Sequence, residues 1–364
     1  MLGNRKLVVD TFCEVHDLLI SWVDAEFWNF KEHLDNGLLE SGAVYLIGRS
    51  QMQLYSDLIR PLVESNSIKV IFSNPAEGSD TLRTHIAQHG IEDLVLSGKI
   101  LLIGGGDMDS SYLCLQYDSF LPKILDYDEN VLAIALYQEM HNKNVKPYKF
   151  LFLNGRNRDH RHYLLDRFTA NGLLNQAIWT CLDQSMGPIK YLDSNYEYTA
   201  YKPYIGINTS TQFVKNQLFN NTWGEIYLSA TPYIDSYFSV VTETVFKYPY
   251  SFRTEKIWKP IAIGHPFVAV ANKGYYRDLH QLGFKTFGHV IDESFDQIDN
   301  NQTRLERIAQ VVEDLCQQDL ASLLKECYNI CKYNQQHLAE MRQKVRQEFP
   351  NRFCKFLKKY QFNE

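Results

Sequence analysis

"SVVTETVFKYPYSFRTEKIWKPIAIGHPFVAV", residues 239–270, joins two apolar runs through a charged passage. It contains the acids Glu243 and Glu255, with Arg253, Lys256 and Lys259 gathered around the second. "FSVVTE" (238–243) reads as a strand, with Glu243 at or just past its C-terminal end. "RTEKIWKPI" (253–261) reads as the start of a helix with Thr254 as N-cap. "PFVAVAN" (266–272) reads as the next strand. Strand, helix and strand in that order build an open parallel α/β sheet, and ligands of such sheets bind beyond the C-terminal ends of the strands. Pro260 lies deep in the helix and predicts a kink or a break.

Working outward, the same alternation occupies the first half of the chain. "KLVVDTF" (6–12), "AVYLIG" (43–48), "KVIFSN" (69–74) and "KILLIGG" (99–105) are nearly continuous apolar runs, as expected of strands covered by helices on both faces. Amphipathic stretches at 51–65 and 80–90 separate them. The pattern restarts after "NKNVKP" (142–147), which reads as a linker, with a strand at 148–155, a helix near 159–172 closed by Gly172, and a strand at 177–181. The last 60 residues read as helical. The expected organisation is α/β: two Rossmann-like domains at 1–145 and 146–345, then a basic amphipathic helix at 346–364.

Composition fits a folded chain of about two domains: 364 residues, 45% hydrophobic and 22% charged. The seven Cys form no CxxC pair, which favours a reducing compartment. No run reaches the length of a membrane span, so the expected location is cytoplasmic (host cytoplasm for a viral protein). The net charge of −6 argues against broad non-specific binding of nucleic acid. The segment from Lys325 onward is an exception, with nine Lys/Arg against four Glu. Within it Phe349, Phe353, Phe356, Leu357 and Tyr360 follow helical spacing between Arg352, Lys355, Lys358 and Lys359. Such a helix packs on its own protein or makes a peripheral membrane contact.

The charged helix start suits a multiply charged anion. A helix N-terminus offers unpaired N–H groups and partial positive charge, and Arg253, Lys256 and Lys259 add fixed cations. Glu255 has the wrong sign for phosphate but can accept two O–H donors from a ribose diol. The bland alternative is a solvated face with Glu255 and Lys259 as an i,i+4 pair.

"RTEKIWKPIAIGHPFVAVAN" resembles the donor-binding segment of the α1,3-fucosyltransferase-like glycosyltransferases and a group of viral and bacterial proteins carrying "TEKTWKPI". "VVTET" is similar to the acidic strand end upstream of that segment, and "FLNGRNRDHRHYLLDRF" to the strand-then-Arg element. The resemblance covers residues 148–290. It implies a GT-B fold and transfer of a sugar from a nucleotide diphosphate sugar, GDP- or UDP-linked, to an acceptor hydroxyl, inverting and without a required cofactor. It also implies that Glu255 holds the ribose and Lys256 the diphosphate. Arg161, seven residues after Asn154, would be a second diphosphate cation, with Arg156 as its competitor, and Glu243 would face the donor sugar. The sequence departs from the family in the spacing of Glu243, in Trp258-Lys259-Pro260, and in lacking a matching N-terminal base. The acceptor (glycan, protein, nucleic acid or small molecule) is not specified.

Two other groups offer alternatives. Asp107 and Asp109 in "GGGDMDSS" (104–111) are candidate bases, or ligands of a divalent metal in a metal-dependent transferase, or simply a turn that caps a helix. His85 and His89 are spaced i,i+4 without a third ligand and read as a solvated helix end. A non-catalytic carbohydrate- or nucleic-acid-binding protein of the same fold is the reading outside catalysis.

Overall fold

The structure, a computed structural model, describes residues 6–360 except 12, 21–24, 142–144, 155–157, 184–189 and 195–225. The chain divides into two compact units, Met1–Ser119 with Arg342–Glu364, and Phe120–Met341. Each is α/β and built on a largely parallel sheet.

Among the described residues the first unit holds six strands: β1 (Leu7–Asp10), β2 (Ala25–Trp28), β3 (Val44–Gly48), β4 (Lys69–Asn74), β5 (Ile100–Gly104) and β6 (Cys114–Gln116). They pair in the order β2-β1-β3-β4-β5-β6, every neighbour parallel. Successive strand residues serve opposite faces. Val8, Tyr45, Ile47, Val70, Phe72, Ile100 and Leu102 join one core, which the helices Arg49–Glu64 and Ser79–Gln88 cover with Met52, Ile59, Leu82 and Ile86. Leu7, Val9, Val44, Leu46, Ile71, Leu101 and Ile103 form the other core together with Phe349, Phe353, Phe356 and Leu357. The apolar stripe of the C-terminal segment is therefore buried in the first unit's core. Of the two readings of this stripe, these four side chains take the packing on their own protein. These residues belong to the long Leu320–Lys359 helix, whose earlier part lies in the second unit.

The second unit holds β7 (Tyr148–Asn154), β8 (Ala177–Asp183), β9 (Lys190–Ser194), β10 (Ser236–Thr242) and β11 (Phe267–Val270). Their order is β11-β10-β7-β8-β9, all parallel except β9, which is antiparallel at the edge. The sequence runs outward from β7 through β8 to β9, then returns to the other side of β7 for β10 and β11. The crevice between the C-terminal ends of β7 and β10 is thus the topological switch point of this sheet.

The division falls ahead of the polar stretch at 142–147, between residues 119 and 120. The helix Asp128–Met140 explains this. Its Ala133 and Tyr137 pack with Leu151, Ile178 and Ile263 of the second unit. Lys146 itself is buried, and its Nζ donates to the Ile234 carbonyl at 2.6 Å. Gly172 takes the left-handed conformation (φ 69°) just past the Asp159–Ala170 helix, as the sequence suggests. The helix Glu255–Ile263 runs three residues beyond Pro260 and stops at Gly264, also left-handed (φ 84°), where the Pro260 carbonyl accepts from the N–H groups of Gly264 and His265. Trp258 from this helix is fully buried against Phe284.

Candidate functional site

The segment 239–270 folds as a strand, a loop, a helix and a strand at the C-terminal edge of the second sheet. Glu243 follows β10 directly and is fully buried. Its Oε1 accepts from the Thr254 N–H (3.1 Å) and the Tyr275 hydroxyl (2.9 Å). Its Oε2 accepts from the Thr254 hydroxyl (2.7 Å) and the Thr244 N–H (3.2 Å). Four donors match the roughly four lone-pair sites of a carboxylate. Burial pushes its pKa upward, while the Lys256 charge and the Thr254 donors pull the other way. Glu243 was expected to face a sugar. In the structure it ties the strand end to the start of the next helix, and this is a positioning role.

Thr254 caps that helix as expected, accepting from the Lys256 N–H at 3.3 Å. Its hydroxyl donates to Glu243 and also accepts from Lys256 Nζ at 3.2 Å. Lys256 Nζ lies 2.6 Å from Glu255 Oε1. Burial of Glu255 acts to raise its pKa, but the charges of Lys256 and Lys259 outweigh it and hold the carboxyl below its ordinary value. Arg253 is buried, Lys259 is half-buried, and the Lys256 side chain is 24% exposed. The helix start therefore presents an ionised carboxylate and a partly accessible ammonium side by side.

The switch-point crevice is closed by side chains from β7, β10 and the Asp159–Ala170 helix. Asn154 ends β7, and its Oδ1 accepts from the Thr242 hydroxyl at 2.6 Å. Arg161 is buried in the first turn of the helix and donates through one guanidinium nitrogen to the carbonyls of Thr242 (2.9 Å) and Glu243 (3.3 Å). His160, stacked on Phe246, donates from Nε2 to the same Glu243 carbonyl at 3.0 Å. Its pKa is lowered to about 3, first by burial and then by the Arg161 charge, so the ring is neutral. Asn154, Arg161, Glu243, Arg253, Glu255, Lys256 and Lys259 thus all lie in one unit, at or beside one sheet edge. Arg156 lies outside the described residues.

Asp107 and Asp109 belong to the other unit, on the loop after β5. Asp109 Oδ1 accepts from the Ser111 N–H (2.9 Å) and hydroxyl (2.8 Å), which hold its pKa below the ordinary value. The bland reading had a turn that caps a helix; the turn is there, but it leads into β6 and starts no helix. Among the described residues no group of three or more His, Cys, Asp or Glu side chains is arranged to hold a metal ion.

Sequence reasoning did not single out Tyr275, Thr242, His160 or Arg304. Thr242 and His160 flank residues that were chosen, so the strand end and helix start could have been read as blocks. Tyr275 and Arg304 are distant in sequence, and no local pattern marks them. Arg304 is 1% exposed and donates to the carbonyls of Phe246 (2.8 Å), Ala271 (3.3 Å) and Ile298 (2.9 Å), bracing the loops beyond β10 and β11.

Comparison with protein-family models, with curated proteins and with solved structures finds no match. The functional reading rests on the site's own geometry and on the motif.

Proposed function

We propose that the chain is a GT-B-type glycosyltransferase that takes its sugar from a nucleotide diphosphate sugar, GDP- or UDP-linked, bound at the C-terminal edge of the second unit's sheet. The observation that carries this reading is the helix start at Thr254–Lys256, fixed beside a topological switch point by the buried Glu243. Open parallel sheets bind nucleotides at such points, with phosphates on a helix N-terminus. Lys256 neutralises the diphosphate, and Glu255 accepts the ribose hydroxyls. Ligand binding replaces their mutual contact of 2.6 Å with contacts to the nucleotide. Arg161 and Asn154 hold the crevice in shape.

In the transfer step the acceptor oxygen bonds to the anomeric carbon as the bond to the diphosphate breaks. The electron pair leaves with the diphosphate, where Lys256 and the helix N-terminus stabilise the growing negative charge. The acceptor proton goes to a base outside this constellation, because Glu243 already has four donors. That saturation favours one second reading, a nucleotide-sugar-binding protein without turnover.

GDP or UDP without added metal is expected to raise the melting temperature. Lys256→Ala and Glu255→Ala are each expected to weaken binding by about tenfold or more. A thermal shift that survives both changes sinks the assignment. Release of free nucleotide from GDP- and UDP-sugars, with water standing in as the acceptor, marks a transferase and overturns the reading as a binder without turnover.

A further inference from the structure

The first unit carries a separate side-chain cluster at the C-terminal edge of its own sheet. Its strand order turns back between β1 and β3, so the end of β3 borders that sheet's switch point. The Arg49–Glu64 helix begins there with Gly48 as N-cap, which has no side chain to cap the first N–H groups. One strand over, Asn74 closes β4 and is 1% exposed. Its amide nitrogen lies 3.2 Å from His85 Nδ1. An amide NH₂ group only donates, so Nδ1 accepts and the proton of the neutral ring sits on Nε2.

His85 is 8% exposed, and among the described residues its Nε2 has no partner. This corrects its reading as part of a solvated helix end. The His89 ring follows one turn later, with centroids 6.3 Å apart. Arg49 Nη1 pairs with Glu77 Oε1 at 3.2 Å, and the Arg49 side chain is 45% exposed. Burial, and after it the nearby Arg49 charge, lowers the pKa of both rings. Among the described residues Arg49 and His89 are the charged or titratable groups that act on His85, Arg49 as the fixed cation, and Glu77 pairs with Arg49.

We propose that Arg49, His85 and His89 form an anion site on the first unit, suited to a phosphate monoester or a carboxylate. Arg49 supplies the charge, the His85 Nε2–H and the helix start supply donors, and Asn74 holds the ring in its donating tautomer. Glu77 orients the guanidinium, whose five N–H groups leave room for a second acceptor. The proposal is independent of the reading of the second unit.

Histidine-ring NMR signals of the full chain, titrated with inorganic phosphate, methyl phosphate and acetate, test it. His85 and His89 are expected to shift saturably and to gain basicity, because a bound anion favours the protonated ring. Arg49→Gln is expected to weaken binding by about tenfold or more. In the ligand-free protein the same change is expected to raise both ring pKa values, which shows that the cluster is intact. A clear preference for methyl phosphate over acetate marks a phosphate ester, and equal saturation by acetate marks a carboxylate. Signals that follow none of the three anions, or saturation unchanged in Arg49→Gln, overturn the site.

Discussion

At the residue scale, Glu243 shows how an acid in a conspicuous sequence position can serve the frame. Glu243→Ala leaves Thr244 N–H, Thr254 N–H and two hydroxyls facing a void, and is expected to cost about 3 kcal/mol, read from urea denaturation. Tyr275→Phe removes one of the four bonds and should cost about 1 kcal/mol. The decisive comparison is nucleotide binding. A positioning Glu243 predicts that Glu243→Gln weakens stability and nucleotide affinity together. A variant that keeps both and loses only turnover would put the carboxylate in contact with substrate. The types Glu, Thr and Lys at this point were legible in the sequence, but the inward aim of the carboxylate was not. It depends on Tyr275, 32 residues further along, and contacts at that range leave no local periodicity.

At the element scale, the parallel strands were legible because both their faces are buried. Val44–Gly48 and Ile100–Gly104 are buried at every position and stand out as apolar runs. The strands Ala25–Trp28 and Cys114–Gln116 lie at the two edges of the first sheet, are short, and carry no such run, so they passed unread. The β10–β11 connection also carries a pH prediction. His265, fully buried between the Ser239 hydroxyl (2.9 Å) and the Ser236 carbonyl (2.9 Å), has its pKa lowered by burial to about 3. The unfolded chain takes up this proton near the ordinary 6.5 and the folded chain does not. Stability is therefore lost as pH falls from 6.5 toward 3, by about 1.4 kcal/mol per pH unit. His160 adds a second such term over the same window. Urea melts between pH 6 and 4, a range inside that window, should show His265→Gln flattening the slope by one proton's worth. An unchanged slope would mean that His265 is charged in the folded protein.

At the scale of the whole molecule, the first unit is assembled from two stretches separated by the entire second unit. Phe349, Phe353, Phe356 and Leu357 supply one face of its sheet with a cover, and each buried side chain contributes roughly 1.5–3 kcal/mol. Removing 342–364 takes away about as much as a whole domain's net stability. The shortened chain is expected to lose protease resistance within Met1–Ser119 while Phe120–Met341 keeps it. Equal resistance of both stretches would show the first sheet to be stable uncovered. Composition marked 346–364 as a basic amphipathic helix, but which surface would receive it was beyond the sequence, since a stripe of Phe fits any apolar partner.

The same division orders events during synthesis. On a ribosome, β1 to β6 emerge long before the Phe residues that cover them, and a complete second unit is translated in between. The second unit's own residues all precede those Phe residues in the chain. The first stays open, with an apolar sheet face uncovered, until the helix that completes it has left the exit tunnel. The part made earliest is therefore the last to mature, and it is the part for which a nascent-chain chaperone has the longest opportunity to bind.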